Sequence, residues 1–240
     1  MCIRDRLLNI ETSTAICSVA LGKDGKLLAL KENKEGMKHA GYLTVFIEDM
    51  LRENNFTCAD LDGVAVSMGP GSYTGLRIGV STAKGICYGG GMPLISISTL
   101  QSITKTLQNT YDISSKVKKL EETYFCPMID ARRMEVYTAL YNFKTELIRE
   151  ISADVIDEKS FGEELLKREI IFFGDGAKKC KNVIKNTNAI FFDSVDATAV
   201  GMIEMAEEKF NNNDLEDVAY FEPFYLKDFV ATTPKKNIFK

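Results

Sequence analysis

The chain has one histidine, His39, and no tryptophan. A single imidazole excludes any metal centre that needs a histidine pair, including the HExxH sites of zinc peptidases. It also disfavours a serine hydrolase. Ser72 lies among glycines, but His39 is a helix residue about thirty positions upstream, and a triad needs an oriented base. As an isolated residue His39 reads as a capping or surface side chain before it reads as a ligand. Six cysteines, at 2, 17, 58, 87, 126 and 180, show no CxxC spacing. Most stand in apolar strand-like or helix-like contexts, which predicts buried free thiols in a reducing, cytoplasmic setting. No apolar run approaches the length of a membrane span, and nothing reads as a signal peptide. Positive charge is not in excess: 30 Lys and Arg face 34 Asp and Glu, for a net charge of −4. That balance carries no footprint of a protein that grips nucleic acid by itself. What remains is ordinary for a globular protein, 45% hydrophobic and 27% charged, and 240 residues suffice for one large or two modest domains.

The most informative stretch is Ser67-Met68-Gly69-Pro70-Gly71-Ser72-Tyr73-Thr74-Gly75-Leu76-Arg77-Ile78-Gly79. The apolar run Val64-Ala65-Val66 leads into it as a buried strand. Gly69-Pro70-Gly71 then reads as a tight turn, with Ser72 or Thr74 as N-cap of a helix reaching about Tyr88. Strand, glycine turn and helix N-terminus together suggest a cradle for an anion, with Gly69, Gly71 and Ser72 at its lip. Gly75, Gly79 and Gly85 lie inside the helix, each at a cost of about 1 kcal/mol relative to alanine. A face of small residues, Gly75, Gly79 and Thr82, admits close approach of another backbone.

Ahead of this stretch, 7–30 reads as a three-stranded meander whose Asp24-Gly25 marks a hairpin turn. Glu11 ends the first strand and is followed by Thr12, Ser13 and Thr14. Two readings stand: a turn that satisfies its own backbone, or a strand-end acid with hydroxyls facing a cleft. A helix over 38–54 carries a core stripe of Leu43, Phe46, Ile47, Met50 and Leu51. Tyr42 and Val45 lie off that stripe, either as scattered surface apolarity or as a sticky edge for a partner. Past the polar stretch 109–123 the plan restarts. Strands at 124–129, 134–141 and 145–151 precede alternating helical and strand segments, and Asp130 takes the place of Glu11. The doubled plan predicts two α/β lobes with mixed sheets, divided at 7–108 and 109–240, with the two acidic turns facing each other. The last helix is expected to pack back on the first lobe. Residues 1–6 fit no alternation and read as a disordered or non-native head.

Walker-type phosphate binding fails here for want of the lysine after the glycines; Arg77 is one helical turn too late. Glu11 and Asp130 could hold Mg²⁺ through water, but no lysine or acidic cluster supports them.

At these residues the chain resembles the TsaB (YeaZ) family of bacterial tRNA threonylcarbamoyladenosine biosynthesis proteins. The resemblance rests on the 69–79 string and on Asn9-Ile10-Glu11-Thr12-Ser13-Thr14 with Cys17-Ser18-Val19-Ala20-Leu21. Ile97-Ser98-Thr99-Leu100, Ile129-Asp130-Ala131-Arg132-Arg133-Met134-Glu135-Val136-Tyr137 and Pro223-Phe224-Tyr225-Leu226 extend it nearly to the C-terminus. It implies an actin-like ATPase / ribonuclease-H-like fold, α/β, in two similar lobes that each hold a mixed β-sheet and flanking helices. It further implies a non-catalytic partner of the paralogue TsaD, lacking the histidine pair that binds metal there. With the ATPase TsaE the complex would move threonylcarbamoyl to N6 of adenosine 37 in tRNAs reading ANN codons. This chain would then need no cofactor or metal of its own, ATP and Mg²⁺ being used by the complex. It would dimerise when alone, meet tRNA only through the complex and have no membrane role. The alternative is a stand-alone ATP-binding enzyme of the actin-like/kinase superfamily.

Carried over by motif, the partner interface falls on Gly75, Arg77, Ile78, Gly79 and Thr82, joined on physical grounds by His39, Tyr42 and Val45. A specific interface would bury about 800 Å² per partner. Thr12, Ser13, Gly69, Gly71 and Ser72, with Glu11 and Asp130, mark the nucleotide or anion cleft. Glu11 stands where many members have aspartate, and its extra methylene moves the carboxylate by about 1.5 Å. The head at 1–6 exceeds the usual start.

Overall fold

The alternating apolar residues of the first segment close into a five-stranded sheet in the computed structural model, which describes residues 5–34, 36 and 39–227. Strands β1 (Arg6–Glu11), β2 (Cys17–Lys23) and β3 (Lys26–Asn33) form the antiparallel meander. Helix α1 (His39–Glu53) crosses to β4 (Gly63–Gly69), and α2 (Tyr73–Gly90) crosses to β5 (Leu94–Ser98). Both β4 and β5 run parallel to their neighbours, giving the order β3-β2-β1-β4-β5.

The second segment repeats this. After α3 (Thr99–Thr110) come β6 (Tyr124–Asp130), β7 (Glu135–Tyr141) and β8 (Leu147–Val155) as an antiparallel meander. Then follow α4 (Gly162–Leu165), β9 (Ile170–Phe173), α5 (Ala177–Cys180) and β10 (Ala189–Phe191), with β9 and β10 parallel to β6. The sheet order β10-β9-β6-β7-β8 is the first order over again, strand for strand. This is the two-lobed, mixed-sheet fold of the actin-like class. Glu11 and Asp130 close the corresponding strands, β1 and β6.

Strand alternation decides which helix each sheet face receives. In the first sheet Leu8, Ile10, Val19, Val64 and Val66 pack under α1 and α2. The opposite face offers Leu7, Ala20, Ala65, Ile95 and Ile97 to Met202, Ile203 and Ala206, so α6 (Ile203–Asn211) covers the first lobe from the far end of the chain. Conversely Leu100, Ile103 and Leu107 of α3 share a core with Phe125, Ile129, Ile171 and Phe173 of the second sheet. Each lobe is thus closed by a helix encoded next to the other lobe's strands. The sequence reads as helical over 161–167, 177–185 and 197–210, but α4 and α5 are single turns, and a 3₁₀ turn at Ala199–Met202 precedes α6.

Asp5 and Arg6, assigned to the head from their charge, are built into the fold. Arg6 opens β1, its guanidinium lies 3.7 Å from the carboxylates of Asp60 and Asp62, and Asp5 O accepts from Asp24 N at 3.0 Å. Residues 1–4 lie outside the described residues. Cys17, Cys87, Cys126 and Cys180 are buried free thiols, and burial pushes the first three up to about 11, 11 and 12. Thiols held that high are poor nucleophiles. Among the described residues no helix is long and apolar enough to cross a membrane.

Candidate functional site

Ser72 caps α2 as expected, accepting from Gly75 N at 3.3 Å, and Gly91 closes the helix in the left-handed conformation. The space in front of the N-cap is taken by the chain itself. Ser72 N donates to Ser13 O at 2.6 Å, and Thr12 Oγ1 donates to Gly75 O at 2.8 Å. A Cβ on Gly71 would stand 2.4 Å from Ser13 O, on Gly75 2.0 Å from Thr12 O, and on Gly79 2.3 Å from Thr12 Oγ1. These three glycines exist so that the β1–β2 turn can press onto the first two turns of α2. The expectation that Gly75 and Gly79 meet a partner is therefore corrected: both are buried against Thr12 of the same chain.

The anion cradle is corrected for the same reason. Its lip is filled by Thr12 and Ser13, both fully buried, and Gly69 is roofed by Phe224 O, 2.7 Å from where its Cβ would be. Gly69 takes φ +112°, a conformation that glycine adopts without strain. Sequence reasoning did not foresee the roof. Residues 216–227 form a strap over the first lobe: Glu216 N donates to Leu94 O, Lys84 Nζ to Ala219 O and Phe221 O, and Phe224 N to Met68 O. Its one sequence signal is Pro223-Phe224-Tyr225-Leu226.

Glu11 and Asp130 do not act as a pair. Glu11 is fully buried, with Ser13 N donating to Oε1 at 2.7 Å. Its Oε2 and the hydroxyls of Ser13 and Ser67 make no hydrogen bond of regular geometry. Burial pushes the carboxyl above its ordinary 4.5, against the opposing pull of the Ser13 contacts. No open space in front of this carboxyl connects it with Asp130, because the packed turn of Thr12 and Ser13 covers it. Asp130 is exposed, ion-paired to Lys179 at 2.5 Å, with Arg132 N donating to the same oxygen. Among the described residues no three His, Cys, Asp or Glu side chains cluster in a way that could hold a metal. An open cavity of about 650 Å³ does lie in the second lobe, between Gly174, Lys178, Lys181, Phe192 and Asp196. None of the residues singled out from the sequence lines it.

The outer face of α1 and α2 is open. Val45 is 47% exposed, Tyr42 is half-buried against Phe46, Ile78 and Thr82 are half-buried, and Arg77 is exposed. The side chain of His39 lies outside the described residues. A Cβ on Gly41, Gly85 or Gly89 would meet nothing within 4 Å, and Tyr88 beside them is 86% exposed. Unlike Gly75 and Gly79, these glycines have no reason inside the chain. Helical periodicity alone does not separate the two groups.

The sequence model of the family described as "TsaD: tRNA N6-adenosine threonylcarbamoyltransferase" matches residues 34–235. The chain belongs to the TsaD family. Within it the chain is similar to proteins called TsaB: 28% identical to that of Escherichia coli K12, over 94% of this chain and 96% of the relative, and 28% identical to that of Bacillus subtilis 168, over 75% of each. Two solved structures from Pseudomonas aeruginosa share the fold. One, described as similar to peptidase YEAZ, has TM-score 0.79 and 22% identity over 93% of this chain and all of that one. The other, YeaZ, has TM-score 0.73 and 23% identity over 92% and 100%. The resemblance to TsaB (YeaZ) read from the sequence is thereby borne out.

Two predictions follow from this TsaD-family site. Gly75→Ala or Gly79→Ala should destabilise by about 1–3 kcal/mol through overpacking onto Thr12, whereas Gly85→Ala should stabilise by about 1 kcal/mol. Urea denaturation checks both signs, and equal effects at 79 and 85 would refute the assignment of the inner glycines. A raised native carboxyl costs stability as pH climbs from the unfolded value through the folded one, because only the unfolded chain gains from ionisation. Glu11→Gln, neutral at every pH, should therefore flatten the stability profile above pH 4.5 and exceed the parent at pH 8. A lower denaturation midpoint than the parent at pH 8 would count against it.

Proposed function

We propose that this chain is a non-catalytic subunit of the cytoplasmic machinery that makes threonylcarbamoyladenosine in tRNA. It docks on a catalytic TsaD paralogue through the outer face of α1 and α2, with TsaE as the ATPase of the assembly. The observation that carries the proposal is the closure of the first-lobe turn. A helix N-terminus behind a glycine turn can receive an anion when the space before it is open; here Thr12 and Ser13 occupy that space and Glu11 is sealed beneath. Such a lobe is suited to present a rigid surface. The names of the relatives, threonylcarbamoyladenosine biosynthesis proteins, supply the pathway. ATP and Mg²⁺ are then used by the partners, and tRNA is met in the complex.

The docking face combines Tyr42, Val45, Ile78 and Thr82 with the open glycines 41, 85 and 89. Glycine on an exposed helix face loses about 1 kcal/mol of helix stability and returns it only where a second backbone approaches closely. In the absence of TsaD the same face pairs two copies of this chain.

Reconstituted tRNA modification tests the reading. Leaving this chain out of a mixture of TsaD, TsaE, tRNA and threonylcarbamoyl donor should abolish product, and undiminished product would sink the proposal. Gly85→Arg should fold with a midpoint no lower than the parent's yet lose association with TsaD by at least about a hundredfold, since a buried guanidinium without a partner is costly at an interface core. Retained association in size-exclusion chromatography would remove α2 from the interface.

A further inference from the structure

Three strings that carry the family resemblance are distant in sequence: 69–79, 129–137 and 223–226. Tyr225 of the strap lies against Tyr73, ring centroids 4.9 Å apart. Arg77 stacks over the Tyr73 ring at 5.4 Å and donates to its hydroxyl at 2.8 Å. Two residues beyond Tyr225, Lys227 ion-pairs with Glu135 of the β6–β7 hairpin and lies 6.0 Å from the ring of Tyr137. The strap thus joins the N-terminus of α2 to the hairpin of the second lobe in one surface.

That hairpin is built at a cost. Arg132 and Arg133 are successive non-glycine residues at φ +74° and +48°. Asparagine and glycine fill such positions cheaply; two arginines do not. Both side chains are exposed and reach no carboxylate among the described residues. The acids nearest in sequence are already engaged, Asp130 with Lys179 and Glu135 with Lys227. Arg77, like Arg168, has no acidic partner among the described residues, whereas Arg6, Arg52 and Arg149 are ion-paired. Across the surface Arg77, Arg132, Arg133, Lys179 and Lys227 face the four carboxylates of Asp130, Glu135, Asp175 and Glu222, a local excess of positive charge on a chain whose net charge is −4. Strain retained at exposed, unpaired arginines points to a ligand that uses them.

We infer that this surface, Arg132 and Arg133 with the Tyr73–Tyr225 pair and Arg77, is a contact for single-stranded RNA presented to the assembled complex. Guanidinium groups suit phosphate oxygens through paired donors, and aromatic faces beside them suit unstacked bases. An acidic protein surface would use the arginines and leave the rings idle. The inference rests on the proposed function, because an isolated chain of net negative charge holds RNA weakly; the contact adds to binding that the partner begins.

The test uses the reconstituted complex and its substrate tRNA, with affinity followed by anisotropy across a salt series. Arg132→Gly/Arg133→Gly removes both charges and relieves the backbone, so the variant should melt no lower than the parent. Its complex should form normally but bind tRNA about tenfold or more weaker near 0.1 M salt, with the salt slope reduced by about 1.4, as two single-strand phosphate contacts require. Tyr225→Ala should weaken binding and Tyr225→Phe should retain it. Unchanged affinity and slope in the double variant would overturn the inference while leaving the proposed function intact. Loss of subunit association instead would make the surface a protein contact, which also overturns it. If the parental mixture binds and modifies tRNA equally well without this chain, the proposed function itself falls and takes the contact with it.

Discussion

The contact between the β1–β2 turn and the start of α2 is the constraint on which the first lobe depends. Three glycines spaced at 71, 75 and 79 let Thr12 and Ser13 lie within hydrogen-bonding distance of a helix backbone, closer than any side chain permits. Thr12 Oγ1 donates to the Gly75 carbonyl, Ser13 O receives Ser72 N, and Glu11 is sealed below by the same packing. The orientation of α2, and hence of the face it shares with α1, follows from this seam. The strap adds a second tie when Lys84 of α2 reaches the carbonyls of Ala219 and Phe221.

Duplication explains the architecture but not the chemistry. Both sheets share one strand order, and both central strands end in an acid. The acids have diverged through their surroundings. Glu11 lies under a packed turn, where burial raises its carboxyl pKa, whereas Asp130 faces solvent at a hairpin and is ion-paired with Lys179. A cleft that binds metal-nucleotide needs charged groups converging from both lobes. Of the two strand-end acids only Asp130 reaches solvent, because the turn above Glu11 is closed by its own backbone.

The exchange of helices gives the two lobes a common fate. With α6 in the first core and α3 in the second, neither lobe can unfold without exposing apolar surface that the other lobe's segment supplies. The strap continues this by carrying the chain from α6 across β5, β4 and α2 to the second-lobe hairpin. Motif strings that seem independent in the sequence become neighbours through it.

Much of this protein was legible in its residues. Strand alternation, the Asp24-Gly25 turn, the stripe on α1 and the Ser72 cap are local signals, and the doubled order of elements follows from them because each reflects a short-range backbone preference. So does the family, whose longest string is contiguous. What α2's glycines are for was not legible: 75, 79 and 85 look alike at helical spacing, and only the position of Thr12, more than sixty residues away, separates inner from outer. The same holds for Glu11, whose proton is decided by desolvation from elements that no local pattern reveals. Tertiary structure alone decided these points, since burial and close approach are properties of pairs of segments. A chain read in order specifies the segments and leaves their meeting to the fold.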